Sequence, residues 1–173
     1  MKLLKKLLHP ELTSLEGTVL RRHAARAIVL RDDKILLLFT ERYNDFSLPG
    51  GGIDDGEEIT VALKRELEEE TGARDVQVKE HYGFIEEYRP HWRPEYDLMH
   101  MTSHFFLCDV AEELADVRME HYEIENGMKP VWVSGSDAVS HNREVLGRQE
   151  KTMGQSIHRE TFMLEKISRE LLL

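Results

Sequence analysis

Apolar and polar positions change period several times along this chain, and each change marks an element. Thr18 to Leu30 is an extended stretch that ends in the apolar run AARAIVL, and Lys34 to Phe39 (KILLLF) is a second. Asp32-Asp33 between them is a turn signal, so the pair reads as a β-hairpin. Glu41 to Asp45 is a polar loop, and Phe46 to Pro49 is a short extended piece before a run of glycines. Across Glu58 to Thr71 the spacing becomes helical. Ile59, Ala62, Leu63 and Leu67 share one face, and Gly72 supplies a C-terminal stop.

Further on, Val76 to Tyr88 and Leu98 to Val110 read as long strands, joined by the proline-punctuated loop RPHWRPEYD. Ala111 to Met128 is acidic and irregular, and PVWV (Pro130 to Val133) is a brief strand. Ser136 or Asp137 caps a short helix running to His141. A final helix over about residues 156–172 starts at Ser156 and aligns Leu164, Ile167 and Leu171. At the N-terminus, MKLLKKLLHPEL reads as a short amphipathic helix over about residues 1–12, packed on the domain or on a partner subunit. Strands interspersed with helices predict a sheet covered by helices in one domain over 1–173, without an interdomain linker.

With 173 residues, 40% hydrophobic and 32% charged, the composition is that of a globular domain with a real core. A formal net charge of −10 argues against a nucleic-acid or membrane-surface binder, which needs a basic footprint. Cys108 is the only cysteine, so an intramolecular disulfide is excluded and a reducing, cytoplasmic setting is expected. Its flanks, HFFLCDV, place it as a buried strand thiol. The two-residue apolar runs of the N-terminus do not form a signal-peptide core or a membrane span.

The chemistry lies where the helical pattern is broken. At about 100° per residue, Glu66 and Glu70 fall inside the apolar stripe of the helix and Glu69 lies on its flank. Carboxylates desolvated beside Leu and Ile are costly unless something positive meets them. A hard divalent cation, magnesium or manganese, is the partner that oxygen ligands suit. Positions i, i+3 and i+4 bring three carboxylates within reach of one cluster. Gly50, Gly51 and Gly52 let the backbone turn sharply and approach a ligand just before the helix. Glu68 and Lys64 face water.

Taken as a unit, GGIDDGEEITVALKRELEEETGA (Gly51 to Ala73) resembles the Nudix box of the Nudix hydrolase superfamily, with every defined position matched. The resemblance implies an α/β/α sandwich of α+β type with a mixed β-sheet. It also implies hydrolysis of the diphosphate bridge of a nucleoside diphosphate linked to a further group X. By position it implies metal binding by Glu66, Glu69 and Glu70 with the Gly50 carbonyl. Glu66 or Glu69 orients or deprotonates the attacking water, and Glu57 with Arg65 forms a structural ion pair holding loop to helix. The cofactor expected is Mg2+, with Mn2+ as a substitute.

Outside the box, the signals are thinner. A further acid is expected from the segment holding Glu120, Glu123 and Glu125, with Glu125 favoured. Arg42 and Trp92 are candidate substrate contacts, the latter in the His91-Trp92-Arg93 loop that suits stacking on a base. His100 and His104 share a strand face without a third zinc ligand at zinc spacing. Common loops for other hydrolytic chemistries, such as GxxxxGKS, HExxH or GxSxG, are absent. The expected partner is therefore a small-molecule nucleotide, of ADP-ribose, nucleotide-sugar or nucleoside triphosphate type. The alternative is a catalytically silent Nudix-fold nucleotide sensor. An isoprenoid diphosphate isomerase of the same superfamily would want a placed cysteine, and Cys108 lies far from the box. The terminal segments LLKKLL and LEKISRELLL suit a homodimer interface as well as packing within one chain.

Overall fold

The computed structural model describes residues 1–172. The elements are β1 (Leu3–Leu8), β2 (Val19–Ile28), β3 (Leu30–Arg31), β4 (Lys34–Thr40), β5 (Asp45–Ser47), β6 (Gly50–Gly52), α1 (Ile59–Thr71), β7 (Gln77–Arg89), β8 (Leu98–Asp109), α2 (His121–Glu125), β9 (Met128–Ser134), α3 (Gly135–Arg148) and α4 (Ile157–Glu170). A five-stranded mixed sheet has the order β1-β7-β8-β2-β6. Its β2–β8 and β1–β7 pairs are parallel, and its β7–β8 and β2–β6 pairs are antiparallel. The second sheet is antiparallel, with β4 between β9 on one side and the short β3 and β5 on the other.

Two apolar cores lie on opposite faces of these sheets. On one, Leu63 and Leu67 of α1 pack on Ala25, Ala27, Leu36 and Phe106. On the other, Ala138 of α3 and Met163, Leu164 and Ile167 of α4 pack on Ile28, Ile35, Leu37, Ile85 and Phe105. In β4, Leu36 and its neighbours Ile35 and Leu37 enter different cores, as strand alternation demands. The layering is thus helix, sheets, helices, an α/β/α sandwich with a mixed sheet.

Two expectations need correction. The N-terminal segment is the strand β1, not a helix. Leu3, Leu4, Leu7 and Leu8 fit a helical stripe, but six residues make a marginal helix, and the free edge of β7 offers a full ladder. Only Leu4 and Leu7 are part-buried, both against the α4-side core. Second, the hairpin around Asp32-Asp33 is shorter than expected. Only β3 pairs with β4, while β2 runs on into the other sheet between β8 and β6. β9 and α3 are also longer than expected, and α3 is capped by Ser134, whose hydroxyl accepts the Asp137 N–H at 3.2 Å. The apolar termini are both used within the chain, β1 on β7 and α4 in the core. Among the described residues, no helix is long and apolar enough to cross a membrane.

Candidate metal centre

The glycine strand β6 lies against β2, pairing Gly50 with Arg26, Gly51 with Ala25 and Gly52 with Ala24. Gly50 has φ 140°, and a Cβ there would lie 2.1 Å from the Ala25 carbonyl oxygen. A Cβ on Gly51 would lie 2.7 Å from Glu66 Cδ. The glycines are therefore required by close approach, of backbone to backbone at one position and of backbone to carboxylate at the next. The loop then enters α1 through Glu58, whose carboxylate accepts the N–H groups of Thr60 and Val61. Gly72 closes the helix by donating its N–H to the Glu68 carbonyl.

Glu66 and Glu70 on α1 and Glu123 on α2 converge, with carboxylate oxygens all within 4.8 Å of one another. Glu70 and Glu123 are each 4% exposed. Each acid is oriented by a donor: Glu66 by Arg65 Nη1 at 2.9 Å, Glu70 by the Gly50 N–H at 2.7 Å and Glu123 by the Glu120 N–H at 2.8 Å. Burial, with Glu123 and Glu66 as like charges, holds the Glu70 carboxyl well above its ordinary range, opposed by the Gly50 N–H. Burial first, then Glu69 and Glu123, raises Glu66 against the pull of Arg65. Three crowded carboxylates, with the proton affinity of Glu66 and Glu70 raised, fit a divalent cation, which would remove the repulsion.

Arg65 meets both oxygens of Glu57, Nε at 2.9 Å and Nη2 at 3.1 Å, in a bidentate pair that ties the glycine loop to α1. That bond holds Glu57 below the ordinary carboxylate range. Glu69 stands outside the three-acid group. Its carboxylate turns to Arg65 at 3.5 Å, consistent with its place on the flank of the stripe. Gly50 contributes its N–H to Glu70, while its carbonyl lies 3.4 Å from Arg26 Nη1. Glu125, the favoured late acid, is exposed and pairs with His121 at 3.0 Å; the acid brought into the group is Glu123. Arg42 donates to Asn126 Oδ1 at 3.1 Å, beside Tyr43. Trp92 is 81% exposed, with His91 and Arg93 on its faces.

Sequence reasoning missed a buried charge chain behind the acids. Arg159, 3% exposed, donates to Glu87 at 2.7 Å and to Glu160 at 2.8 Å. Glu160, fully buried, also accepts the Leu48 N–H at 2.9 Å and lies 3.9 Å from Arg26 Nε. The signal was present. Glu160 stands four residues before Leu164, inside the apolar stripe of α4, and Arg26 interrupts AARAIVL. Cys108 is buried, and burial pushes its thiol up to about 12. His81 and His104 pair ring to ring at 3.0 Å, while burial, then His81 and His23, lowers His104 to about 4.

The NUDIX domain model matches residues 20–153, and the chain belongs to that family. It is 46% identical over 54 residues to an RNA pyrophosphohydrolase of Bartonella henselae, covering 28% of this chain and 31% of that protein. It is 30% identical over 105 residues to a CMP-5'-(N-acetyl-N-hydroxy-3-aminopropyl)phosphonate hydrolase of Streptomyces rubellomurinus, covering 57% of this chain and 47% of that protein. The chain thus spans about a third to a half of the length of these curated relatives. Among solved structures, a NUDIX hydrolase from Nitrosomonas europaea superposes with TM-score 0.55 at 17% identity, over 85% of this chain and 89% of that one, a likeness of fold.

Proposed function

We propose that this protein is a divalent-metal-dependent pyrophosphohydrolase that cleaves the diphosphate bridge of a small nucleoside diphosphate derivative. The observation that carries the reading is the convergence of Glu66, Glu70 and Glu123, from two separate elements, beside the glycine strand. These three would hold Mg2+ or Mn2+. The cation, when bound, neutralises the diphosphate and acidifies coordinated water. The chain's own residues supply the rest. Arg65 fixes the Glu66 carboxylate and, through Glu57, the loop that the substrate meets. Glu69, 30% exposed at its side chain, stands at the rim, where its carboxylate can accept a proton from the attacking water. Arg22 Nη2 lies 3.7 Å from the position a Cβ on Gly52 would take, and this nearness to the glycine strand supports a role for it in meeting a substrate phosphate. The relatives named as pyrophosphohydrolase and phosphonate hydrolase support the reaction class. The net charge of −10 supports a small molecule over a long nucleic acid.

The test is phosphate release with and without Mg2+ from ADP-ribose, NADH, nucleotide sugars, nucleoside triphosphates and a 5'-triphosphorylated oligonucleotide, with products identified by mass. Mg2+-dependent cleavage of a small-molecule class, lost in Glu66→Gln, is the expected result. Tight nucleotide binding without turnover would replace the hydrolase with a sensor, and preferential cleavage of the oligonucleotide would overturn the small-molecule assignment.

A further inference from the structure

The bend from β5 into β6, Leu48-Pro49-Gly50, is buried at every residue. Water cannot replace a hydrogen bond lost there, so each backbone group needs a partner from the protein. The partners come from both sides of the sheet. On the α1 side, Glu70 accepts the Gly50 N–H at 2.7 Å. Within the sheet, the Ala27 N–H donates to the Pro49 carbonyl at 2.9 Å. On the α4 side, Glu160 accepts the Leu48 N–H at 2.9 Å. Arg26 Nη1 lies 3.3 Å from the Leu48 carbonyl oxygen and 3.4 Å from that of Gly50. Arg26 belongs to that side because it alternates with Ala25 and Ala27, which face α1.

Glu160 is itself held, and its two oxygens have separate duties. Oε1 accepts Arg159 Nε at 3.1 Å and Nη2 at 2.8 Å, which leaves Oε2 for Leu48. Arg159 is anchored in turn on Glu87 through Nη1 at 2.7 Å. Arg26 has a looser seat. Its buried Nε has no hydrogen-bond partner among the described residues and lies 3.9 Å from Glu160 Oε1. Buried ion pairs are a poor source of net stability, because desolvation offsets most of their attraction. This one ends on a single backbone bend, and what it fixes is where that bend lies. Pro49, with its locked φ, passes the position of Leu48 on to Gly50. The Gly50 N–H then orients Glu70, one of the three converging acids.

Resting on the metal reading above, we propose that Glu160, supported by Arg26, is a positioning residue of the metal centre. It sets the Leu48–Gly50 bend and, through the Gly50 N–H, the Glu70 carboxylate, from the opposite side of the sheet and without touching metal or substrate.

The experiment titrates metal-free protein with Mn2+, following the free ion by electron paramagnetic resonance, and records the Gly50 amide resonance of the metal-free, 15N-labelled protein. Arg159→Met/Glu160→Met removes one base and one acid from the ionic chain, together with the acceptor for Leu48. Arg159→Met/Glu87→Gln removes the same charges and leaves Glu160 on Leu48. Arg159→Met/Glu160→Gln removes them and restores an oxygen for Leu48. The first variant should bind Mn2+ about ten-fold more weakly, the usual loss when the outer partner of a metal ligand goes. Its Gly50 amide should move upfield as the bond to Glu70 lengthens. The other two should stay close to wild type in both readouts, although all three lose Tm. Equal affinities in the three, equal weakening in the three, or a Gly50 amide unmoved by loss of the Leu48 acceptor would overturn the proposal. Arg26→Gln keeps the Arg159 pairs and makes the same comparison if the first variant does not fold. A wild type that binds no Mn2+ sinks the metal reading, and the Gly50 amide then decides alone. Movement confined to variants that release the bend supports the link from Glu160 to Glu70, and an unmoved resonance refutes it.

Discussion

Replacing Glu70 by glutamine isolates the electrostatic cost of the metal centre. The amide keeps the shape and still offers an oxygen to the Gly50 N–H. What it removes is a charge whose neighbours Glu66 and Glu123 have oxygens within 4.8 Å. At an effective dielectric of about 20, each fully ionised pair at that distance repels by about 3 kcal/mol. Proton uptake by the raised carboxyls and the attraction of Arg26 relieve part of this, leaving a net gain of about 1–3 kcal/mol for the metal-free variant. At roughly 2–4 °C per kcal/mol for a chain of this size, the metal-free Tm rises by about 2–12 °C.

The sign with pH follows from burial. Glu70 has a folded-state proton affinity above its unfolded one, so the folded state holds the proton longer. Its destabilisation is therefore absent below the ordinary carboxylate range and grows as pH rises through the raised folded value. The gain of Glu70→Gln should be small in acid and full in mild alkali. Metal reverses the ranking: wild type is stabilised by about 2.7 kcal/mol at a hundred times its Kd, and the variant gains far less. Differential scanning fluorimetry with EDTA and with Mg2+, across pH, reads all three. A variant less stable than wild type in EDTA at alkaline pH, or one stabilised equally by Mg2+, would refute the electrostatic account.

Three further outcomes follow from the same geometry. Arg159→Met strands Glu87 and Glu160 in the interior and should cost about 3–5 kcal/mol, with the double variant Arg159→Met/Glu87→Gln recovering part of it in urea melts. Arg65→Lys keeps the charge but cannot form the bidentate bond to Glu57, so kcat should fall by about ten-fold with the melt little changed, as steady-state kinetics and a thermal scan would show. The Cys108 thiol, pushed up to about 12 by burial, should react with a chromogenic disulfide only after denaturant exposes it; rapid labelling of the native protein would contradict its burial.

The parts of this protein that were legible in its sequence are those where local pattern and tertiary demand agree. α1 was readable because its apolar stripe, its Glu58 cap and Gly72 all specify the same helix, and Glu66 and Glu70 were conspicuous because they break the stripe they occupy. β1 was misread because LLKKLL satisfies helical spacing, while its actual partner, the edge of β7, lies some eighty residues away and has no local trace. Which acid of the late segment joins Glu66 and Glu70 was illegible for a related reason: Glu125 was favoured, and Glu123 is the one brought to them. Both stand in one short helix, and their fates depend on which face α2 turns to α1, decided by contacts such as the Arg118 N–H bond to the Glu69 carbonyl. Glu160 and Arg26 are the instructive case. Each is a charge inside an apolar pattern, the same anomaly that pointed to Glu66 and Glu70. Glu66 and Glu70 crowd other acids, whereas Glu160 and Arg26 find opposite charge through Arg159 and across the interior. A charge intruding on an apolar stripe therefore signals that something compensates it. Only the fold tells whether the compensation comes from the protein's own arginines or from an ion it must bind.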